Sequence, residues 1–145
     1  MPRIQRSATV PHSPEAMFDL VNDVESYPKF LPWCRSARVL DQGDGWLRAR
    51  IDMARGALHH AFTTCNYLER GRRIRVELER GPFRHLEGDW HFEPTADGGC
   101  RVSLDLEFEF AGRVLSAMVG PIFNQIASTL VDSFCRRARD LYGRR

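Results

Sequence analysis

The amino-acid sequence predicts an α+β fold: a curved antiparallel sheet of about seven strands wraps around a long C-terminal helix, with two short helices near the N-terminus. Two observations predict this class. Strand-length segments with alternating apolar and polar residues follow one another between residues 36 and 110, separated by short turn signals. From residue 114 to residue 141 the apolar residues instead recur with a helical period. Consecutive strands joined by short turns form an antiparallel meander.

The N-terminal part of the chain is predicted to form one strand and a short amphipathic helix. Residues 4–10 read as a strand, and Ser13 followed by Pro14 supplies an N-cap and a first helical position. Apolar residues then recur along one helical face, at Met17, Leu20, Val21 and Val24. The next segment, YPKFLPWC (residues 27–34), contains two prolines that limit it to about one turn of helix.

Alternation along the later strands predicts which side chains face the core. The clearest case is residues 102–110, where apolar residues alternate with Ser103, Asp105, Glu107 and Glu109. The inward residues predicted for this strand and three others are Val102, Leu104, Leu106, Phe108, Phe110, Leu47, Ala49, Ile51, Met53, Ile74, Val76, Leu78, Leu86, Gly88, Trp90 and Phe92. A further strand has Phe62, Thr64, Asn66 and Leu68 as its inner set, but Ala61, Cys65 and Tyr67 leave its phase open.

The chain ends in a long amphipathic helix. Its periodic residues are Val114, Leu115, Met118, Ile122, Phe123, Ile126, Leu130, Phe134, Ala138 and Leu141. Gly120 and Pro121 fall inside this pattern. Because proline removes a backbone donor and clashes with the preceding turn, this pair is predicted to kink the helix or to separate its first turns.

One helix cannot cover a flat sheet of this size. Seven strands spaced at about 4.8 Å extend over roughly 30 Å, whereas a helix with its side chains is about 10–12 Å thick. The sheet is therefore expected to curl around the helix, in the helix-grip architecture, and to leave a cavity between them. Residues 27–34 are expected at the mouth of that cavity as a hydrophobic lid. A plug that completes the protein's own core explains their apolar character equally well.

Composition and charge narrow the class of protein. The 145 residues, 43% of them hydrophobic, suit one globular domain spanning residues 1–145. A net charge of +2 disfavours a dedicated nucleic-acid binder, and no DNA partner is predicted. No apolar run reaches the roughly 20 residues that cross a bilayer, and the N-terminus lacks a signal peptide's apolar core. A cytoplasmic location is therefore expected.

No metal site or catalytic group is predicted. The four cysteines contain no CxxC pair, so reduced, mostly buried thiols are the simpler interpretation. His59 and His60 are adjacent, and on a strand they point to opposite faces and cannot easily share one ion. The carboxylates of residues 102–110 are expected on the solvated face. The sequence contains no nucleophile elbow, Walker loop or dinucleotide-binding glycine motif.

Several stretches are shared with a known family. They are LVNDVESYPKFLPWC (residues 20–34), GPFRHLEGDWHF (81–92), LDLEFEF (104–110) and the terminal helix. FLPWC together with F-x-x-L-x-G-x-W-x-F (83–92) is fairly specific, since a hydrophobic pattern alone would not dictate the tryptophans and the glycine. On these motifs the chain resembles the coenzyme Q-binding START-like family, which includes the bacterial ribosome association toxins, within the polyketide cyclase and START-like superfamily. The resemblance covers nearly the whole chain.

The resemblance implies a non-enzymatic carrier or chaperone that holds ubiquinone or a related isoprenoid lipid and needs no cofactor. For the bacterial branch it implies a second function, in which the protein binds the large ribosomal subunit and blocks its association with the small one. A cyclase or aromatase enzyme that uses the same cavity is the third alternative. The expected partners are thus a hydrophobic small molecule, the large ribosomal subunit under the second alternative, and a membrane in transient contact.

The predicted ligand-binding residues come from the lid, the sheet and the terminal helix, and core packing is the competing interpretation for each. They are Tyr27, Phe30, Leu31, Trp33, Phe62, Trp90, Phe92, Leu104, Leu106, Phe108, Met118, Ile122, Phe123 and Ile126. Two groups of arginines are candidates for ribosomal RNA contacts, although a charged hairpin tip and a helix end explain them without RNA. These are Arg70, Arg72, Arg73, Arg136, Arg137 and Arg139.

Overall fold

The computed structural model, which describes residues 2–143, confirms the predicted fold class: a curved seven-stranded antiparallel sheet packs against C-terminal helices. The strands are β1 (Arg3–Val10), β2 (Cys34–Gly43), β3 (Trp46–Arg55), β4 (Leu58–Glu69), β5 (Arg73–Arg80), β6 (Phe83–Pro94) and β7 (Cys100–Phe110). The helices are α1 (Pro14–Asn22), a 3-10 helix (Val24–Lys29), α2 (Arg113–Ser128) and α3 (Leu130–Tyr142).

Strands β2 to β7 form the predicted meander, and β1 adds to it at the edge beside β7. Its order is β1-β7-β6-β5-β4-β3-β2, and each neighbouring pair is antiparallel. Register shifts within the β2–β3, β4–β5 and β6–β7 pairs mark irregularities of the kind that bend a sheet. This connectivity places the β3–β4 turn, the β5–β6 turn and the end of β7 at one end of the sheet.

The strands bury the faces that alternation predicts. Along β7 the buried residues are Cys100, Val102, Leu104, Leu106, Phe108 and Phe110, and the residues between them are partly or fully exposed. In β4 the inner set is also the predicted one, because Thr64 and Asn66 are buried and face the interior together with Phe62. The phase that the sequence left open is thereby fixed.

The first helix begins where its capping residues predict. The Ala16 backbone N–H donates to Ser13 Oγ at 3.1 Å, and Pro14 occupies the first turn, where its missing N–H costs nothing. Met17 and Val21 are buried on the predicted face. The chain then turns through the 3-10 helix, which contains Pro28.

One of the two outcomes predicted for the terminal helix is wrong, because Gly120 and Pro121 do not separate its first turns. α2 runs through Gly120 and Pro121 without a break, and the chain bends by 41° at Thr129 instead. There the Thr129 backbone N–H and its hydroxyl both donate to the Ile126 carbonyl, at 3.2 and 2.9 Å, which satisfies an acceptor at the helix end. The break between the two helices therefore coincides with this local cap at Thr129 and does not fall at Pro121.

Neither of these helices alone is long and apolar enough to cross a bilayer, and α2 and α3 meet that test only as a bent pair. This holds for the part of the chain that the structure describes.

Candidate ligand-binding cavity

An apolar cavity of about 110 Å³ lies between the inner face of the sheet and the C-terminal helices. Nineteen residues line it: Val24, Tyr27, Trp33, Ala49, Ile51, Phe62, Thr64, Asn66, Val76, Leu86, Gly88, Trp90, Leu104, Leu106, Phe123, Ile126, Ala127, Leu130 and Phe134. They come from five strands, both C-terminal helices and the connection between α1 and β2. The cavity is thus a product of the whole fold.

The small side chains around the cavity leave its space open. Ala49 on β3, Gly88 on β6 and Ala127 on α2 all line it. Gly88 sits in the middle of the sheet, where an added Cβ would meet Leu106 Cδ1 at 3.1 Å and Val76 Cβ at 3.6 Å. Because Gly88, the glycine of the F-x-x-L-x-G-x-W-x-F motif, has no side chain, Leu106 and Val76 can lie close to its backbone at the wall of the cavity.

Two aromatic clusters hold the bent helices against the sheet. Phe123 of α2 packs against Phe83, Phe108 and Phe110, with ring centroids 4.7–5.6 Å apart. These edge-on contacts are ones that aromatic rings prefer.

Phe134 of α3 forms the second cluster with Tyr27, Phe30 and Trp90, at 5.3–5.4 Å. Between Phe123 and Phe134 the helices contribute only Ile126, Ala127 and Leu130 to the lining, so the cavity lies between the two anchored points.

The lid segment is held by the protein's own core. Leu31 is fully buried, and the Trp33 carbonyl accepts from the Ala54 N–H at 2.8 Å, which fixes the segment to the end of β3. Phe30 packs on Phe134, and the guanidinium of Arg137 lies 5.2 Å from the Phe30 ring centroid on its other side. Trp33 alone of these four apolar lid residues, Phe30 to Trp33, lines the cavity. Tyr27, at the start of residues 27–34, lines it as well, so the segment is mainly a plug with two residues at the cavity.

Two polar side chains from β4 face the otherwise apolar cavity. Thr64 and Asn66 are 3% and 8% exposed, and the Thr64 hydroxyl donates to Asn66 Oδ1 at 2.8 Å. This leaves the Asn66 amide nitrogen as a donor beside the cavity, since its oxygen is already occupied. A buried polar group of this kind favours a ligand that brings a hydrogen-bond acceptor.

The third polar group at the cavity is already occupied. The Tyr27 hydroxyl donates to the Val21 carbonyl, and burial raises the pKa of Tyr27 well above its ordinary value of 10.0. Among the nineteen lining residues there is no carboxylate, imidazole, amine, guanidinium or thiol. Tyr27 is therefore the single lining residue with an ionisable side chain, and its hydroxyl is already engaged with Val21.

The structure brings eight of the fourteen predicted ligand-binding residues to the cavity. They are Tyr27, Trp33, Phe62, Trp90, Leu104, Leu106, Phe123 and Ile126. Five others pack beside it in the core or its margin: Phe30, Leu31, Phe92, Phe108 and Ile122. Met118 needs a correction, because its side chain is 58% exposed on the outer face of α2. Val119, the next residue, is buried, so the fold still covers α2 at this point and Met118 lies on the face of the helix that is turned away from the core.

Sequence reasoning left several lining residues out of the predicted site. They are Val24, Ala49, Ile51, Thr64, Asn66, Val76, Leu86, Gly88, Ala127, Leu130 and Phe134. Most of them already belonged to the predicted inward sets, so alternation indicated their direction. What the sequence could not supply was the distance between the sheet and the helix at each position.

Residues 10–135 match the family described as polyketide cyclase / dehydrase and lipid transport. The chain belongs to this family. It is 48% identical to the "Ribosome association toxin RatA" of Pseudomonas aeruginosa over 97% of both chains. It is also 28% identical to the mitochondrial "Coenzyme Q-binding protein COQ10 homolog B" of Xenopus laevis, over 90% of this chain and 55% of the other.

Solved structures of similar proteins have the same fold as this chain. An 18 kDa protein from Caulobacter crescentus, solved in solution, has a TM-score of 0.77 at 32% identity and covers 99% of both chains. A START superfamily protein from Mycobacterium smegmatis has a TM-score of 0.81 at 22% identity, over 96% of this chain and 98% of the other. The second likeness shows the fold alone.

Proposed function

We propose that the protein is a non-enzymatic carrier that binds an isoprenoid quinone of the ubiquinone type in this cavity. The observation that supports the proposal is the lining, which is apolar apart from the Thr64–Asn66 pair and the occupied Tyr27 hydroxyl. Such a surface fits a ligand that is apolar over most of its length and carries hydrogen-bond acceptors at one place. A quinone ring with its carbonyl oxygens has this chemistry.

The cavity volume limits how the ligand enters. A cavity of about 150 Å³ holds a benzene molecule, whereas sites for drug-sized ligands occupy roughly 300–1,000 Å³. At about 110 Å³, this cavity is smaller than the one that holds benzene. A complete isoprenoid quinone therefore requires α2 and α3 to move away from the sheet, or a tail that extends beyond the cavity.

The lining residues have distinct roles in this proposal. The Asn66 amide donates to one quinone carbonyl, and Thr64 holds the amide in place through its 2.8 Å hydrogen bond. The indole rings of Trp33 and Trp90 lie against the quinone ring, and the aliphatic residues of β6, β7 and α2 contact the tail. Because no lining residue can exchange a proton near neutral pH, the ligand leaves chemically unchanged.

Tryptophan fluorescence tests the proposal directly. Trp33 and Trp90 line the cavity, whereas Trp46 lies at the β2–β3 turn, so a Trp46→Phe variant reports on the cavity alone. We expect a short-chain ubiquinone to quench this emission to saturation, and organic extraction of the purified protein to yield a quinone by mass spectrometry. Unchanged emission on titration, together with no extracted lipid, would contradict quinone binding.

A second candidate function is association with the large ribosomal subunit. It is favoured by the 48% identity to the Pseudomonas aeruginosa protein named ribosome association toxin, over 97% of both chains. Four of the six candidate arginines are partly engaged elsewhere. Arg70 contacts Asp19 at 2.8 Å, and Arg73 contacts Asp89 at 2.7 Å. Arg72 lies 4.0 Å from Glu69, and Arg137 covers Phe30. The helix arginines Arg136 and Arg139, both exposed, are then the better candidates for phosphate contacts.

Sedimentation through sucrose gradients tests this second function. We expect the protein to travel with isolated large subunits and to reduce the formation of 70S particles when small subunits are added. Charge reversal at Arg136 and Arg139 is expected to weaken the association. Free protein at the top of the gradient and unaltered 70S assembly would remove this candidate.

A further inference from the structure

The first half of α2 exposes an apolar stripe to solvent. Val114 and Met118 are 75% and 58% exposed, and Ala117 and Pro121 are exposed beside them. Their spacing of three, four and seven residues places all four on one face of the helix. The opposite face carries the buried Val119. This part of α2 is therefore apolar on both faces, and only one of them has a partner in the fold.

Two turns of the sheet lie beside this stripe. An added Cβ on Gly56, in the β3–β4 turn, would be 3.5 Å from Ile122 Cδ1, and the Ala111 N–H donates to the Pro82 carbonyl of the β5–β6 turn at 2.8 Å. We call residues 55–57, 80–84 and 111–121 together the α2 end of the molecule. The cavity is close to it, because an added Cβ on Gly81 would be 2.7 Å from Cβ of Phe62, a lining residue.

The α2 end is basic. Its charged residues are Arg55, Arg80, Arg84 and Arg113, all exposed, and none of its three segments contains an aspartate or glutamate. Glu109 is the one carboxylate that pairs with this set in the described residues, at 3.2 Å from Arg84. Four arginines and this glutamate give +3, against +2 for the whole chain, so all other residues together carry −1.

The outer face of the sheet has a different character. Its arginines are matched by carboxylates, as in Arg3–Asp105 at 2.7 Å and Arg75–Glu87 at 2.6 Å. Positive charge therefore faces solvent together with apolar side chains at the α2 end, whereas the sheet surface is close to neutral.

From this combination we infer that the α2 end docks on the surface of an anionic lipid bilayer. Val114 and Met118 enter the boundary between headgroups and acyl chains, and the surrounding arginines contact lipid phosphates. A second copy of the chain would bring arginines against arginines. RNA would neutralise the arginines but would leave the apolar stripe in water. The inference goes beyond the proposed function, since docking needs no quinone.

Flotation with quinone-free vesicles tests this inference. We expect the protein to float with vesicles that contain about one third phosphatidylglycerol and to remain free with phosphatidylcholine alone, and added salt to weaken the binding. In the double variant Val114→Asp/Met118→Asp, bound protein should fall by about tenfold or more. The matched control Leu40→Asp changes a side chain that is 45% exposed on β2, and it should bind like the unaltered protein.

Both variants are expected to keep the fold, because the substituted side chains are exposed and a carboxylate at position 114 is favoured in the first turn of a helix. Circular dichroism checks this. No binding of the unaltered protein to anionic vesicles at low salt would overturn the inference, as would equal binding by the double variant. Loss of large-subunit association in the double variant, with vesicle binding unaffected, would assign the surface to the ribosome instead. Because no quinone is present, failure here leaves the fluorescence titration as a separate test of the proposed function.

Discussion

In the proposed function, Asn66 is the side chain that recognises the quinone head. Its amide nitrogen lies beside an apolar cavity, and its oxygen is held by Thr64. We expect Asn66→Leu to lower the affinity for a short-chain ubiquinone by about twofold to tenfold, because one hydrogen bond contributes roughly 0.5–1.5 kcal/mol. The fluorescence titration in the Trp46→Phe background measures this change.

An isoprenoid hydrocarbon without a quinone head provides the control for Asn66→Leu. Its affinity should stay the same or rise, because the substitution makes the cavity more apolar. Equal loss for both ligands would mean that the substitution disturbs the shape of the cavity and that Asn66 does not recognise the head.

Because two cysteine thiols are buried, we expect the free energy of unfolding to fall at alkaline pH. Burial raises the pKa of Cys34 and of Cys100 from 9.0 to about 11. Above about pH 9 the thiols of the unfolded chain ionise while those of the folded protein do not, so the free energy of unfolding falls between pH 9 and 11. Urea denaturation across this range measures the effect.

A Cys34→Ala/Cys100→Ala double variant provides the comparison for this pH dependence. Its stability should fall less steeply over the same interval. Part of the decline should remain, because burial also raises the pKa of Tyr27. Identical slopes for the variant and the parent would show that neither thiol contributes.

The uninterrupted path of α2 through Gly120 leads to a prediction about that helix. An added Cβ on Gly120 would have its nearest contact at 3.8 Å, from Ser116 Oγ, so alanine fits without a shift. We expect Gly120→Ala to raise the free energy of unfolding by about 0.5–1 kcal/mol, since glycine is a poor residue in a helix interior. Urea denaturation monitored by circular dichroism measures this change.

Gly99 in the β6–β7 turn offers the opposite case. An added Cβ there would clash with the Val10 carbonyl oxygen, so Gly99→Ala should destabilise the protein. If Gly120→Ala also destabilises it, then the glycine has a role as a flexible point of α2 that the static structure does not require.

The same helix shows where sequence reasoning ends. The period that places Phe123 and Ile126 in the core is real, but it continues through Val114 and Met118, which lie in solvent. Residues four apart drift by about 40° around a helix of 3.6 residues per turn, so the apolar series 126, 122, 118 and 114 turns gradually away from the buried face. The bend at Thr129 was missed for a related reason. The apolar period continues from Ile126 to Leu130 across the bend, so the pattern carries no sign of it.

The strands were easier to predict than the helices. Alternation along β7 and β6 predicted which residues face inward, because successive side chains of a strand point to opposite sides. This rule also brought Trp90, Leu104 and Leu106 to the cavity. The rule could not distinguish these cavity-lining residues from Phe92 and Phe108, which face the same side of the sheet but pack in the core. Whether an inward residue meets another side chain or open space is decided by the facing helix.

At the scale of the whole protein, stability and open space for a ligand are opposing requirements. Open volume costs stability, because lining atoms lose contacts that a filled interior would give them. A protein selected only for stability would close it, for instance by exchanging Ala49, Gly88 or Ala127 for larger residues. Their presence together around one space is what a binding site requires.

Ala49→Val tests this balance in a single substitution. Ala49 is buried on β3 and lines the cavity, and valine suits a strand. We expect the ligand-free variant to be more stable by up to about 1 kcal/mol, since each buried methylene contributes about 0.8 kcal/mol and some of that is lost to strain. Quinone affinity should fall at the same time, because the added methyl groups occupy ligand space.

Ala37→Val supplies the matched control, since Ala37 is buried on β2 away from the cavity lining. In a closely packed region the added methyl groups have no space, so this variant should lose stability and keep the quinone affinity of its remaining folded fraction. Thermal unfolding and fluorescence titration of both variants give the two quantities. If Ala49→Val lost stability and retained full affinity, the space beside β3 would be neither open in solution nor used by the ligand.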